Sequence, residues 1–217
     1  MNKLCLFDLD GTLIDPHTAI TKGIQYALAS VGIEVTDRNQ LNPFIGPPLR
    51  DSLREFYNFT DADEIERLVC KYHEYFSENG IYENTLYPGV IEMLEQLKDA
   101  GCTLTIATSK LMVNAVKIAE YLKFDQYFDL IIGCELDGSR SRKCEIIDYI
   151  LAAIDPVREN FPVMIGDRKY DIIGAREMGI DSIGVTWGYG SKEELEKENP
   201  TLIAESIEEL LHTIISP

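Results

Sequence analysis

Two carboxylates stand two positions apart in Phe7-Asp8-Leu9-Asp10-Gly11-Thr12. On an extended chain such residues point to the same side, with Leu9 turned to the other. Two like charges held that close are costly unless a cation joins them. A hard divalent ion with oxygen ligands is the natural partner. Gly11 lets the backbone turn sharply after the pair. The plain alternative is a strand end followed by a solvated acidic turn, and these six residues alone do not exclude it.

A second acidic pair, Asp167 and Asp171, lies in Gly166-Asp167-Arg168-Lys169-Tyr170-Asp171. The two are four apart at the mouth of a helical pattern, which puts them on one face. Taken alone, the helix dipole accounts for acidic residues in a first turn. Beside Asp8 and Asp10 at the same sheet edge, they complete an acidic pocket suited to Mg²⁺.

Two further stretches offer groups for an anion. Ala107-Thr108-Ser109-Lys110 puts hydroxyls at the end of an apolar run, where they could donate to a phosphate oxygen or cap a helix. Lys143, in Ser141-Arg142-Lys143-Cys144, opens a helical pattern, where a lysine opposes the dipole. Most lysines lie on the surface. An acidic pocket that binds phosphate nevertheless requires a fixed cation, and that need singles out Lys143.

The elements that must position these residues follow from the hydrophobic pattern. Leu4–Phe7, Leu104–Ala107, Leu130–Ile132, Val163–Ile165 and Ile183–Val185 are short, largely apolar runs, with Thr105 the one polar residue inside them, as expected of parallel strands covered on both faces. Amphipathic stretches separate them. Val90, Met93, Leu94 and Leu97 form one helical stripe, with Gly101 as its C-terminal cap, and Ile207, Leu210, Leu211, Ile214 and Ile215 form another. The alternation predicts a doubly wound α/β fold, a parallel Rossmann-like sheet.

The rhythm breaks from about Asp15 to Leu86. No strand pattern is visible there, and the stripes Ile20, Ile24, Ala27, Leu28, Val31 and Ile65, Leu68, Val69, Tyr72, Phe76 are helical. The expected organisation is a small all-helical cap at 15–86 inserted after the first strand, with the catalytic core at 1–14 and 87–217. Such an insert sits above the carboxyl ends of the strands, where open α/β sheets bind ligands. It is well placed to be a lid.

Bulk composition narrows the function classes. The chain has 217 residues, 45% apolar and 26% charged, as in an ordinary globular protein, and a formal net charge of −17. So acidic a chain repels nucleic acid and anionic membrane, because binding to phosphate backbones is driven by Lys and Arg. No apolar run approaches the ~18 residues of a membrane span, and no secretion signal is visible. Five cysteines without C-x-x-C spacing read as reduced thiols, and a cytoplasmic location is expected.

In order and spacing, the four stretches resemble the haloacid dehalogenase superfamily of phosphohydrolases, over nearly the whole chain. Phe44-Ile45-Gly46-Pro47-Pro48-Leu49-Arg50, Glu135-Leu136-Asp137-Gly138 and Trp187-Gly188-Tyr189-Gly190 are most similar to its bacterial 5′-nucleotidase-like members, a branch it shares with phosphoglycolate phosphatases. Ser109 departs from the Asn common at that position in phosphoglycolate phosphatases.

The resemblance implies that Asp8 is the nucleophile and Asp10 the general acid and base. It implies that Thr108, Ser109 and Lys143 hold the phosphate. Mg²⁺ is then held by Asp8, the main-chain carbonyl of Asp10 and Asp167, with Asp171 in support. The expected substrate is a small phosphorylated metabolite, a nucleoside 5′-monophosphate ahead of phosphoglycolate. A sugar phosphomutase of the same superfamily is the other alternative, and the expected assembly is a monomer or homodimer. Arg50, after the stiff turn Gly46-Pro47-Pro48, is the cap residue expected to meet the substrate's distal part.

Overall fold

The computed structural model describes residues 3–154 and 161–216. In chain order the elements are β1 (Lys3–Phe7), β2 (Ile14–Asp15), α1 (His17–Ala29), a 3₁₀ segment Arg38–Phe44, α2 (Leu49–Tyr57), α3 (Ala62–Glu78) and a 3₁₀ turn Gly80–Tyr82. There follow β3 (Thr85–Leu86), α4 (Val90–Asp99), β4 (Thr103–Leu111), α5 (Met112–Leu122), a 3₁₀ turn Asp125–Tyr127, β5 (Leu130–Cys134) and α6 (Lys143–Ala153). The chain closes with β6 (Phe161–Gly166), α7 (Lys169–Met178), β7 (Asp181–Val185), α8 (Lys192–Lys197), β8 (Leu202–Ala204) and α9 (Ile207–Ile215).

Six strands form one parallel sheet in the order β5-β4-β1-β6-β7-β8. The strand order reverses around β1, and ligands of open α/β sheets bind at such a switch point. Phe7 pairs with Ile106 of β4 on one side and Ile165 of β6 on the other. These three central strands therefore run side by side; Asp8 and Asp167 directly follow β1 and β6, and Thr108 lies in the last part of β4. β1 shows why the runs read as strands buried on both faces: Leu4, Cys5, Leu6 and Phe7 are all buried, in two apolar clusters. β4 carries a register shift between Ala107 and Leu111. A bulge of this kind re-aims side chains, and here it turns Thr108, Ser109 and Lys110 toward the site.

Between β1 and α4 the elements are helices and 3₁₀ turns, apart from β2 and β3. α3 starts where Asp61 accepts the Glu64 N–H at 2.8 Å, with Asp63 and Glu64 favoured by the dipole of the first turn. Its stripe of Ile65, Leu68, Val69 and Phe76 is buried, against α1 among others. Two details differ from the sequence reading. Ile14–Asp15 and Thr85–Leu86 form a two-stranded antiparallel ribbon at the ends of the helical segment, too short to leave a pattern. Val31 is exposed, because α1 ends at Ala29 and the chain turns through Gly32.

In the rest of the chain, the Val90, Met93, Leu94 and Leu97 stripe is buried, and Gly101 follows the helix with positive φ. Ile215 is exposed rather than on the apolar face of α9. β8, an edge strand of three residues, had no detectable signal. All five cysteines are free thiols. No helix among the described residues is long and apolar enough to cross a membrane.

Candidate active site

A cavity of about 480 Å³ lies between the sheet edge and the helices above it. Its floor includes Asp8, Asp10, Thr108, Ser109 and Lys110; its roof includes Phe44, Arg50, Glu66, Tyr72, His73 and Phe76.

Asp8 is held by its backbone, whose N–H donates to Ile165 O at 2.8 Å. Its carboxylate accepts from Lys143 Nζ at 2.9 Å. Lys143 also donates to Ala107 O at 2.8 Å and pairs with Asp171 at 2.8 Å. The first two contacts are hydrogen bonds, and the third is an ion pair in which Asp171 Oδ1 accepts no hydrogen bond. Burial works against the charge of Lys143, but Asp171 and Asp8 together outweigh it and raise its pKa above the ordinary lysine value. Lys143 is thus buried at the first position of α6 with its charge paired. A phosphate oxygen at Asp8 would have to share or replace one of these partners.

Asp8, Asp167 and Asp171 each bring one carboxylate oxygen within 4.8 Å of the others. Asp167 precedes α7 and accepts the Tyr189 N–H at 2.7 Å. Asp171, at the third position of α7, accepts the Arg168 N–H at 3.1 Å. Asp171 thus lies in the first turn of α7 and within reach of Asp8 and Asp167. Burial, reinforced by Asp8 and Asp171, pushes the Asp167 carboxyl well up. Burial also pushes Asp171 up, against the pull of Lys143.

Gly11 allows the close approach: its φ is +85°, and a Cβ there would lie 2.3 Å from Asp167 Oδ2. The Trp187–Gly190 loop seals the other side, with Trp187 Nε1 donating to Thr12 O at 3.1 Å. Tyr189 Oη donates to Asp15 in the ribbon. The sequence reading used this loop only as a mark of resemblance; its bracing of Asp167 has no local signature.

Asp10 stands apart from the trio. Its Oδ2 accepts from Lys110 Nζ at 2.6 Å, while its Oδ1 is buried without a partner. Burial raises its pKa, with Lys110 opposing the shift and Asp8 adding to it. Lys110 was missed as a site residue, although it ends the Thr108-Ser109-Lys110 stretch. Thr108 is buried and accepts the Lys110 N–H at 3.2 Å. Neither Thr108 nor Ser109 caps a helix, because α5 starts only at Met112 with no side-chain cap.

On the roof, Arg50 is engaged rather than open. Its Nε and Nη2 donate to both oxygens of Glu66 at 2.6 and 2.9 Å. His73 lies beside them with a buried, unpartnered Nδ1, and burial, helped by Arg50 and Lys110, lowers its pKa. Neither Glu66 nor His73 was foreseen, since each reads as the polar face of a helix. Of the cap aromatics, Phe44, Tyr72 and Phe76 line the cavity. Phe56, Tyr57 and Phe59 pack around Phe44 in a chain of ring contacts, and Tyr75 packs on Tyr26.

The helices also touch the floor's supports. Arg168, ion-paired with Glu194 at 3.0 Å, donates to Ile45 O. A Cβ at Gly46 would lie 2.7 Å from Arg168 Cγ.

The comparisons agree with this geometry. The model of the haloacid dehalogenase-like hydrolase family matches residues 5–185. A 5′-nucleotidase of Pseudomonas aeruginosa is 45% identical over 90% of this chain and 88% of its own length. The tyrosine-protein kinase PtkA of Mycobacterium tuberculosis is 35% identical over 96% of this chain and 71% of its own. The crystal structure of a predicted phosphatase from Clostridium acetobutylicum superposes with a TM-score of 0.93 at 42% identity, covering 99% of each chain. Motifs, fold and comparisons converge: the chain is a phosphatase-type enzyme that belongs to the haloacid dehalogenase-like hydrolase family.

Proposed function

We propose that the protein hydrolyses small phosphomonoesters through an aspartyl-phosphate on Asp8, with nucleoside 5′-monophosphates as the substrate class. The observation that carries the reading is the Asp8 carboxylate on the cavity floor, fixed by Lys143 beside Asp167 and Asp171.

The site suits Mg²⁺. Around the floor, four buried carboxylates (Asp8, Asp10, Asp167, Asp171) face two buried ammoniums (Lys110, Lys143). An oxygen-rich donor set fits a hard divalent ion. Asp8 and Asp167 would hold it with the Asp10 carbonyl, and Asp171 would support them. When bound, it would neutralise charge on the phosphate and help orient it.

The chain's own groups then divide the work. An Asp8 oxygen attacks phosphorus, and the bond from phosphorus to the ester oxygen breaks. The departing oxygen keeps the electron pair and takes a proton from the Asp10 carboxyl. Water next attacks the phosphorus of the aspartyl-phosphate, Asp10 takes its proton, and the Asp8 oxygen leaves with the bonding pair. Thr108 Oγ1 and the backbone around Ser109 donate to the non-bridging oxygens, where transition-state charge sits. The helices above act as a lid over this chemistry, with the ribbon of β2 and β3 as their hinge.

The roof bears on the substrate. Phosphoglycolate needs a free cation for its carboxylate. Arg50 is held by Glu66, and Arg54 pairs with Asp51 at 3.2 Å. A flat, neutral group with hydrogen-bonding edges suits Phe44, Tyr72, Phe76, Glu66 and His73 better. The name of the Pseudomonas relative points the same way. The kinase name of PtkA concerns the acceptor of the phosphoryl group; with Asp10 beside Asp8, the acceptor in this reading is water.

The test compares kcat/KM for nucleoside 5′-monophosphates and phosphoglycolate at equal Mg²⁺. A nucleotide preference of at least tenfold, ~1.4 kcal/mol in transition-state binding, is expected. A tenfold preference for phosphoglycolate overturns the substrate class and leaves the Asp8 chemistry in place.

A further inference from the structure

Lys110 is a buried lysine that the reaction as described leaves idle. Its side chain is 6% exposed. It reaches from the β4 bulge to Asp10 Oδ2 at 2.6 Å. Its ammonium also lies 4.6 Å from the centroid of the Phe76 ring, on α3 in the roof. Phe76 is fully buried, so this contact is desolvated, where a cation over an aromatic face is held most strongly. Lys110 is therefore gripped from two sides: by the acid on the floor, and by a ring that belongs to the helical segment above.

What it does to Asp10 follows from the geometry. A carboxyl group can present either oxygen to a reacting atom, and rotation about its terminal bond is soft. With Oδ2 occupied by Lys110, the rotation is fixed, and the partnerless Oδ1 is the oxygen left for proton transfer. Thr108 sets the start of the arm by accepting the Lys110 backbone N–H.

We propose that Lys110 is a positioning residue that aims Oδ1 of Asp10 at the leaving-group oxygen, and that Phe76 makes this aim depend on the roof being in place. The inference rests on the reading of Asp10 as the general acid. Proton transfer in the first half-reaction is then available when the helices cover the site and weakened when they do not. Covering the site and arming the acid become one event.

The experiment measures kcat/KM for an alkyl phosphomonoester and for 4-nitrophenyl phosphate with excess Mg²⁺. This ratio reports only the steps up to loss of the leaving group, so slow hydrolysis of the aspartyl-phosphate does not enter it. The alkyl ester needs its leaving oxygen protonated, and the nitrophenyl ester hardly does. Asp10→Asn tests the underlying reading, and Lys110→Met and Phe76→Leu test the proposal. Folding is checked by circular dichroism, and Phe76→Leu keeps an apolar filler should Lys110→Met fail to fold.

Asp10→Asn should lose on the order of a hundredfold or more on the alkyl ester and far less on the nitrophenyl ester. Lys110→Met should show the same bias at about tenfold or more, Phe76→Leu at a few-fold, and Phe76→Leu should add nothing in the Lys110→Met background. A biased Asp10→Asn with equal losses on both esters in Lys110→Met, or in Phe76→Leu where that variant alone folds, overturns the proposal and leaves the Asp10 reading standing. An unbiased Asp10→Asn removes the reading and the proposal with it.

Discussion

At and beneath the floor of the cavity, the side chains of Asp8, Lys143 and Asp171 are 7%, 4% and 1% exposed; on its roof, those of Arg50 and Glu66 keep 37% and 52% of their surface open. Both regions are built on ion pairs, but the pairs differ in kind. The floor's charges are locked by burial, and removing one partner strands another in low dielectric. The roof's pair is solvated and contributes little to stability. A reaction needs fixed geometry at the reacting atoms, whereas choice of substrate tolerates adjustable contacts. The contrast predicts that stranding a charge in the Lys143 cluster damages rate and fold together, and that removing the roof's ion pair shifts only which substrate is preferred.

The largest expected effect is on Asp8. Asp8→Asn should cut kcat by ~10⁴-fold or more in steady-state assays, because an amide is a poor nucleophile and a poorer cation ligand. Lys143→Met should come next. It strands Asp8 and Asp171 together, so a stability loss of ~3–5 kcal/mol in urea titration is expected, besides a collapse in activity. Loss of activity at unchanged stability would remove the distinction between floor and roof.

Cation binding gives a readout independent of turnover. Mg²⁺ at about a hundred times its dissociation constant should stabilise the native state by ~2.7 kcal/mol. That corresponds to a rise of roughly 5–10 °C in melting temperature for a chain of this size. Asp167→Asn should abolish the rise, and Arg50→Ala should leave it intact.

Two smaller effects probe the roof. Gly46 has φ +103° and no room for a Cβ beside Arg168. Gly46→Ala should therefore lift the loop at Ile45 and lower kcat/KM by about tenfold, with ~1 kcal/mol or more lost in overall stability. Arg50→Ala should raise KM for a nucleoside monophosphate several-fold, on the order of 1 kcal/mol, and leave a small generic ester unaffected. Equal effects on both substrates would place Arg50 in general architecture.

The same contrast explains what could be read from the sequence. The floor was legible because parallel strands put motif residues at fixed offsets. Asp8 follows β1, Thr108 follows Ala107, Asp167 follows Gly166, and strand adjacency brings them together. Lys143 was nominated by electrostatic need, and it lies ion-paired with Asp8 and Asp171. Lys110 escaped notice because a lysine after two hydroxyl residues carries no pattern, and only the β4 bulge reveals where it goes. The roof was legible as helix, through the stripes of α1 and α3, but not as chemistry. Glu66 and His73 sit on the polar side of α3, where sequence offers no way to separate a solvated face from a cavity wall. Arg50 could be nominated from its position after a stiff turn, whereas its pairing with Glu66 depends on how α2 packs against α3. β2, β3 and β8 are two or three residues long, and pairing rather than composition defines them.

The central claim is that phosphorus becomes bonded to Asp8 during turnover. The most direct measurement is acid quenching of the Asp10→Asn protein, early in its reaction with radiolabelled phosphomonoester and Mg²⁺, followed by peptide mapping. The account predicts acid-stable, hydroxylamine-labile label on the peptide that carries Asp8, and none in Asp8→Asn. Label on another residue, or full turnover by Asp8→Asn, would contradict it.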